Sequence, residues 1–138
     1  MRICLIGCGR VARSHMAGAL QVKDRIEVVA AVDRGLEKAE LFCREFGIKH
    51  AFSSFEDVVA AVDFEAVDIC LPNHLHAEYT VKAAEAGKHI LLEKPMANTV
   101  AECKIMNDAA RKNNVTLMIG QSRRFFEPVM ASIDRINK

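Results

Sequence analysis

The six residues Gly7-Cys8-Gly9-Arg10-Val11-Ala12 narrow the folds open to this chain more than any other feature. They form a G-x-G-x-x-A turn that directly follows an apolar run, Ile3–Ile6, and directly precedes a helical pattern. A strand, a glycine turn and a helix in that order open a βαβ unit built to receive a dinucleotide. Gly7 permits the tight turn, Gly9 lets a pyrophosphate approach the backbone, and Ala12 lets the helix pack closely on its strand. Arg10 and Val11 lie at the entry to that helix, where unpaired N–H groups and about half a positive charge favour an anion.

The rest of the chain repeats the scheme. Further apolar runs lie at Glu27–Val32, Ala51–Phe52, Ala66–Leu71, His89–Leu92 and Val115–Ile119. They are continuous rather than alternating, as strands covered on both faces must be. Helical patterns fill the gaps at Val11–Lys23, Leu36–Phe46, Phe55–Val62, Leu75–Ala86 and Thr99–Lys112, with a last amphipathic piece near Pro128–Ile136. Gly47 and Gly87 stop the second and fourth of these, and Ser53 or Ser54 caps the third. Thr99 with Glu102 reads as a capping box. Alternation of this kind implies right-handed crossovers and a parallel sheet. The expectation is an α/β fold of the Rossmann type: doubly wound, with a mainly parallel six-stranded sheet, helices on both faces, and one dinucleotide-binding domain over residues 1–138.

An acid completes the motif. Asp33 stands at the end of the second apolar run, where a carboxylate can accept from the ribose hydroxyls of adenosine. The same carboxylate beside a 2′-phosphate costs roughly 4 kcal/mol at about 4 Å and an effective dielectric near 20. Arg34 offsets that cost by a similar amount if it turns inward; a solvated charge or a lid over the adenine is the alternative. NAD is the expected cofactor, with NADP left open.

Composition removes several classes of partner. A hydrophobic content of 51%, with 27% charged residues and a net charge of +1, supports a buried core. It offers no bulk charge for nucleic acid or an anionic membrane. No run approaches the roughly 18 apolar residues of a membrane span, and no secretory leader is evident. The five cysteines are odd in number and lack a Cys-x-x-Cys, so they read as reduced thiols of a cytoplasmic protein. No metal is expected: a spacing of two puts His74, His76 and Glu78 on different sides of a helix. His15, His50 and His89 read as surface or satisfied packing residues, and Phe42, Phe46, Phe52 and Phe55 as core.

Two further motifs follow predicted strand ends: Leu71-Pro72-Asn73-His74-Leu75-His76 and Glu93-Lys94-Pro95. In an open α/β sheet that edge is where ligands sit, so Gly7, Asn73 and Lys94 converge on one crevice. Together with Asp33-Arg34, Ala86-Gly87-Lys88-His89 and Gly120-Gln121-Ser122-Arg123-Arg124-Phe125, they make the sequence resemble the Gfo/Idh/MocA oxidoreductases from Ile3 to about Pro128. The resemblance implies hydride exchange between a nicotinamide and a sugar, a polyol or a related carbinol or ketone. It implies that Lys94 is catalytic, bonding the reacting oxygen and shifting its proton, with its charge tuned by burial or a nearby cation. Glu93 would orient neighbouring groups, and Pro95 would match a proline that is often cis. Pro72, Asn73 and His76 would lie on the nicotinamide-ribose side, and Gln121 and Arg124 near the substrate or cofactor edge. The family's second domain, which carries most substrate contacts, is expected to lie outside this chain. Turnover would then need that domain, and exposed apolar surface leaves self-association open. The competing expectation is a stand-alone nucleotide-binding sensor or docking module.

Overall fold

The computed structural model describes residues 1–136; positions 137 and 138 of the expected domain lie outside the described residues. Six strands form one sheet: β1 (Arg2–Ile6), β2 (Glu27–Val32), β3 (His50–Phe52), β4 (Ala66–Ile69), β5 (His89–Leu92) and β6 (Leu117–Ile119). Their order is β3-β2-β1-β4-β5-β6, and every neighbouring pair runs parallel. The strand order reverses between β1 and β4. That switch point is where an open α/β sheet leaves a crevice at the carboxyl ends of its strands.

The connections are α1 (Arg10–Gln21), α2 (Leu36–Phe46), α3 (Phe55–Ala61), α4 (His76–Glu85) and α5 (Val100–Lys112), followed by α6 (Glu127–Ile136). Alternation along each strand divides the core in two. Cys4, Ile6, Val67, Ile69, Ile90 and Leu92 face α3, α4 and α5, packing with Phe55, Val58, Ala83, Ala84 and Met106. Leu5 and Ala31 face the other way, against Ala12 and Met16 of α1 and Ala39, Phe42 and Cys43 of α2. The phenylalanines therefore serve opposite faces: Phe42 stacks near Phe46, with ring centroids 4.8 Å apart, while Phe55 belongs to the larger core.

Helix ends follow local chemistry. The Ser54 side chain accepts from the Asp57 N–H, and Thr99 and Glu102 close a reciprocal capping box. Most boundaries shift by a residue or so, and two strand ends shift by two. The fourth strand stops at Ile69 rather than Leu71, because Cys70 and Leu71 already turn toward a single 3-10 turn over Asn73–Leu75. The last strand starts at Leu117 rather than Val115, whose N–H instead bonds the Ala110 carbonyl at the end of α5.

Helices occupy both faces, but unequally. On the α1 side, Ala66, Asp68, Leu91, Met118 and Gly120 of the β4–β6 half line an open groove of about 890 Å³, bounded by α1. The apolar side chains of α6, among them Met130 and Ile133, are also exposed. Among the described residues no helix is long and apolar enough to cross a membrane.

Candidate functional site

The glycine turn is held from below. Gly7 has φ +96, and a Cβ there would lie 2.6 Å from the Cys70 carbonyl oxygen, so the turn presses directly on the end of β4. The Gly7 N–H bonds the Val32 carbonyl at 2.7 Å, which ties the turn to β2 as well. Gly9 is different. It is the N-cap of α1 in extended backbone, with no side-chain cap, and a Cβ there would meet nothing within 4 Å. The space above the helix N-terminus is open, and its first N–H groups point into it uncapped. A pyrophosphate fits this cradle, since it supplies the acceptors that these donors lack.

Asp33 sits immediately beyond β2 and is preorganised. Its Oδ2 accepts from the Cys8 N–H at 3.0 Å and from Lys38 Nζ at 2.6 Å, and its Oδ1 accepts from the Gly35 N–H at 3.2 Å. Burial raises its carboxyl, but the bonds from Lys38, Cys8 and Gly35 outweigh that and hold it below its ordinary 3.8. A carboxylate offers about four lone-pair positions, so capacity for a ribose hydroxyl remains. Lys38 was not singled out in the sequence; a cation in the first turn after the acid is the signal that could have found it. Arg34 is exposed, as are Arg10 and Val11. The Cys8 thiol beneath the turn is pushed up to about 12 by burial and by Asp33, so it stays protonated and inert.

The second wall comes from the ends of β4, β5 and β6. Pro72 and Asn73 are exposed beyond β4, Lys94 and Pro95 beyond β5, and Gln121 and Arg124 beyond β6. The Lys94–Pro95 peptide is cis, as the resemblance suggested for Pro95. The Lys94 side chain is 63% exposed, with Nζ 3.9 Å from Glu93 Oε2, so this chain does not supply the burial expected of a proton-handling lysine. Gln121 lines the groove beside Glu93, whereas Arg124 does not.

His76 departs from expectation. Its side chain is fully buried, not a lining of the crevice. Its Nδ1 lies 2.8 Å from the Pro95 carbonyl oxygen and its Nε2 lies 2.9 Å from the Leu71 carbonyl oxygen. The first residue of α4 points inward toward the sheet, so the imidazole joins the loops after β4 and β5 instead of meeting a ligand. His15 is a satisfied packing residue, as expected, though its partners were not foreseen. It bridges Asp68 and Glu93, with Nδ1 at 2.9 Å from both Asp68 oxygens and Nε2 at 3.2 Å from Glu93 Oε1. An acid inside the otherwise apolar run Ala66–Ile69 was the available signal, since a buried charge demands a partner. The Cys70 thiol lies 3.5 Å from His15 Nδ1. Ligand atoms of His15, Asp68 and Cys70 fall within 4.8 Å of one another. The group does not read as a metal centre: both Asp68 oxygens already face Nδ1, and burial raises the Cys70 thiol far above its ordinary value.

Gly7, Gly9, Asp33, Asn73, Lys94 and Gln121 thus all follow carboxyl ends of adjacent parallel strands. A family model described as "Oxidoreductase family, NAD-binding Rossmann fold" (GFO_IDH_MocA) matches residues 1–121. The chain belongs to the Gfo/Idh/MocA oxidoreductase family. Among individual relatives, it is 31% identical to 4-carboxy-2-hydroxymuconate-6-semialdehyde dehydrogenase of Sphingobium sp., over 91% of this chain and 39% of that protein. It is 34% identical to scyllo-inositol 2-dehydrogenase (NADP(+)) of Bacillus subtilis, over 91% of this chain and 38% of that protein. The fold matches the WlbA dehydrogenase of Bordetella pertussis, solved with NADH and UDP-GlcNAcA, at a TM-score of 0.94 and 29% identity. That match covers 99% of this chain and 41% of WlbA. The chain therefore spans about two-fifths of the length of these proteins.

Proposed function

We propose that this Gfo/Idh/MocA chain is the dinucleotide-binding part of an NAD(P)-dependent dehydrogenase acting on a carbinol of a sugar, polyol or related molecule. The observation that carries the reading is the uncapped N-terminus of α1 beside Gly9, with Asp33 fixed on the next strand end and Lys94 on the far side of the switch point. In this reading the N–H groups of α1 hold the pyrophosphate and Asp33 accepts from the adenosine ribose. Pro72 and Asn73 border the nicotinamide ribose, and Gln121 and Arg124 lie toward the outer edge. Asp33 favours NAD. Lys38 is its counter-ion and half-exposed, so it is placed to neutralise an added phosphate if NADP binds instead.

A bound nicotinamide supplies the hydride acceptor or donor; the protein supplies position and charge. As a neutral amine Lys94 accepts the hydroxyl proton when the carbinol is oxidised; as the resulting ammonium it hydrogen-bonds the reacting oxygen and returns that proton when the carbonyl is reduced. An exposed lysine does this poorly in water, so substrate enclosure must come from a second wall. We place that wall in the family's substrate domain, which the rest of the longer protein would contribute.

The test is direct. NADH fluorescence titration of this chain should show saturable binding. In the longer protein Lys94→Ala should cut kcat by at least about a hundredfold while changing cofactor affinity far less. Full turnover in that variant would remove Lys94 from the chemistry.

A further inference from the structure

Glu93 has a different partner on each oxygen. Its Oε2 accepts from the Lys94 backbone N–H at 3.2 Å, and its Oε1 meets His15 Nε2 at 3.2 Å. The opposite nitrogen of His15 meets both oxygens of Asp68. Side chains of all three residues are less than a fifth exposed, at 19% for His15, 13% for Asp68 and 17% for Glu93. Ionised carboxylates only accept hydrogen bonds, so an imidazole lying between two of them needs a proton on each nitrogen.

We propose that His15 is a positioning residue for the reaction: as an imidazolium it latches Glu93 to Asp68 and so fixes the Glu93-Lys94-Pro95 turn and the charge felt by Lys94. The inference deepens the function proposed above and rests on that reading for its catalytic meaning. This ring joins α1, which carries His15, to the loop after β5, which carries Glu93. The cradle and the lysine therefore become one unit, since Gly9 caps the same helix that carries His15. From the other side, His76 holds the Pro95 carbonyl, so the turn is gripped on both flanks.

The proton state follows from the surroundings. The titratable groups facing the ring are Asp68 and Cys70 from β4 and its end, and Glu93 from the end of β5; Lys94 lies beyond Glu93. The Asp68 hydrogen bond dominates and raises the imidazole above its ordinary 6.5; burial opposes it, and Glu93 adds in the same direction. Cys70 stays a neutral thiol, because burial raises it strongly. When His15 loses its proton, Glu93 keeps a charge with one fewer partner. It then grips the Lys94 ammonium more strongly and the turn less firmly.

Two measurements on the unmodified chain test this. Nitrogen-15 imidazole shifts should show both His15 nitrogens protonated at pH 6, with a midpoint above 6.5. Competitive acetylation of Lys94, read by mass spectrometry across pH, should break at that same midpoint. Above it, labelling should run about threefold slower than the lower limb extrapolates, a change within the range for exposed ion pairs. Asp68→Asn should lower the midpoint and the break together. A bare nitrogen on His15 at pH 6, a Lys94 profile without a break, or a break that stays fixed while the midpoint moves would each overturn the proposal. Titrating the same sample with NADH keeps the two readings apart. If His15 and Lys94 titrate together and no dinucleotide binds, the latch stands and the proposed function fails.

Discussion

Gly7 and Gly9 are two residues apart in one motif, yet the structure assigns them opposite sensitivities. Gly9 has φ −88 and ψ −169, ordinary extended backbone, and a Cβ there meets nothing within 4 Å. Gly9→Val should therefore leave stability within about 0.5 kcal/mol, as a surface substitution does. Its side chain, however, fills the space over the first N–H groups of α1. Losing two charge-assisted hydrogen bonds of about 1.5–3 kcal/mol each weakens dinucleotide binding by roughly a hundredfold to ten-thousandfold. Gly7→Ala should do the reverse. Its Cβ would sit 2.6 Å from the Cys70 carbonyl oxygen, a backbone atom, at φ +96. Left-handed strain of about 1–2 kcal/mol and overpacking of about 1–3 kcal/mol then sum to roughly 2–5 kcal/mol of lost stability. Urea melts and NADH fluorescence titrations of both variants read the two effects separately. If Gly9→Val binds as tightly as the parent chain, or Gly7→Ala melts unchanged, the placement of the phosphate cradle is wrong.

Other outcomes follow from the charged groups. Asp33→Ala should reduce the preference for NAD over NADP by about tenfold or more, the value of a hydrogen bond to a charged group; competitive titration with both cofactors measures it. Folded-state stability should fall as pH rises through the elevated titration of His15. The contribution is complete below 6.5, the unfolded-chain value, and is lost above it as the folded protein gives up the proton. Melting curves between pH 6 and 9 should show this decline in the parent chain. Asp68→Ala should shrink it, because Glu93 alone then raises the imidazole, while lowering stability by about 1.5–3 kcal/mol, the worth of a hydrogen bond to a charged group.

Much of the fold was legible because local and global signals agree. The G-x-G-x-x-A turn, the apolar runs and the Thr99–Glu102 cap all point to the same alternation. Strand ends were less legible. Leu71 and Val115 are apolar and lie next to real strands, but their backbone groups are committed to helices: the Leu71 carbonyl meets His76 of α4, and the Val115 N–H bonds Ala110 of α5. At the site, glycines, Asp33 and the Glu93-Lys94-Pro95 turn were visible because chain order alone places them at strand ends. His76 was misjudged, and the partners of His15 were unforeseen, for a common reason. Each acts on partners fixed by tertiary packing: His15 meets Asp68 at a separation of 53 residues and His76 meets Pro95 at 19. Periodicity marks the face a residue occupies, not the acceptor it finds there. Lys38 was missed similarly, as its role appears only once Asp33 is seen to need a counter-ion.

An amide-resolved NADH titration of the isotope-labelled chain tests most directly whether these strand ends form one binding rim. Gly9, Arg10 and Val11, the Asp33–Gly35 segment, Asn73 and Lys94 should shift together along a single saturation curve, while the α3–α5 core stays still. Shifts confined to a different surface, or none at saturating NADH, would contradict it.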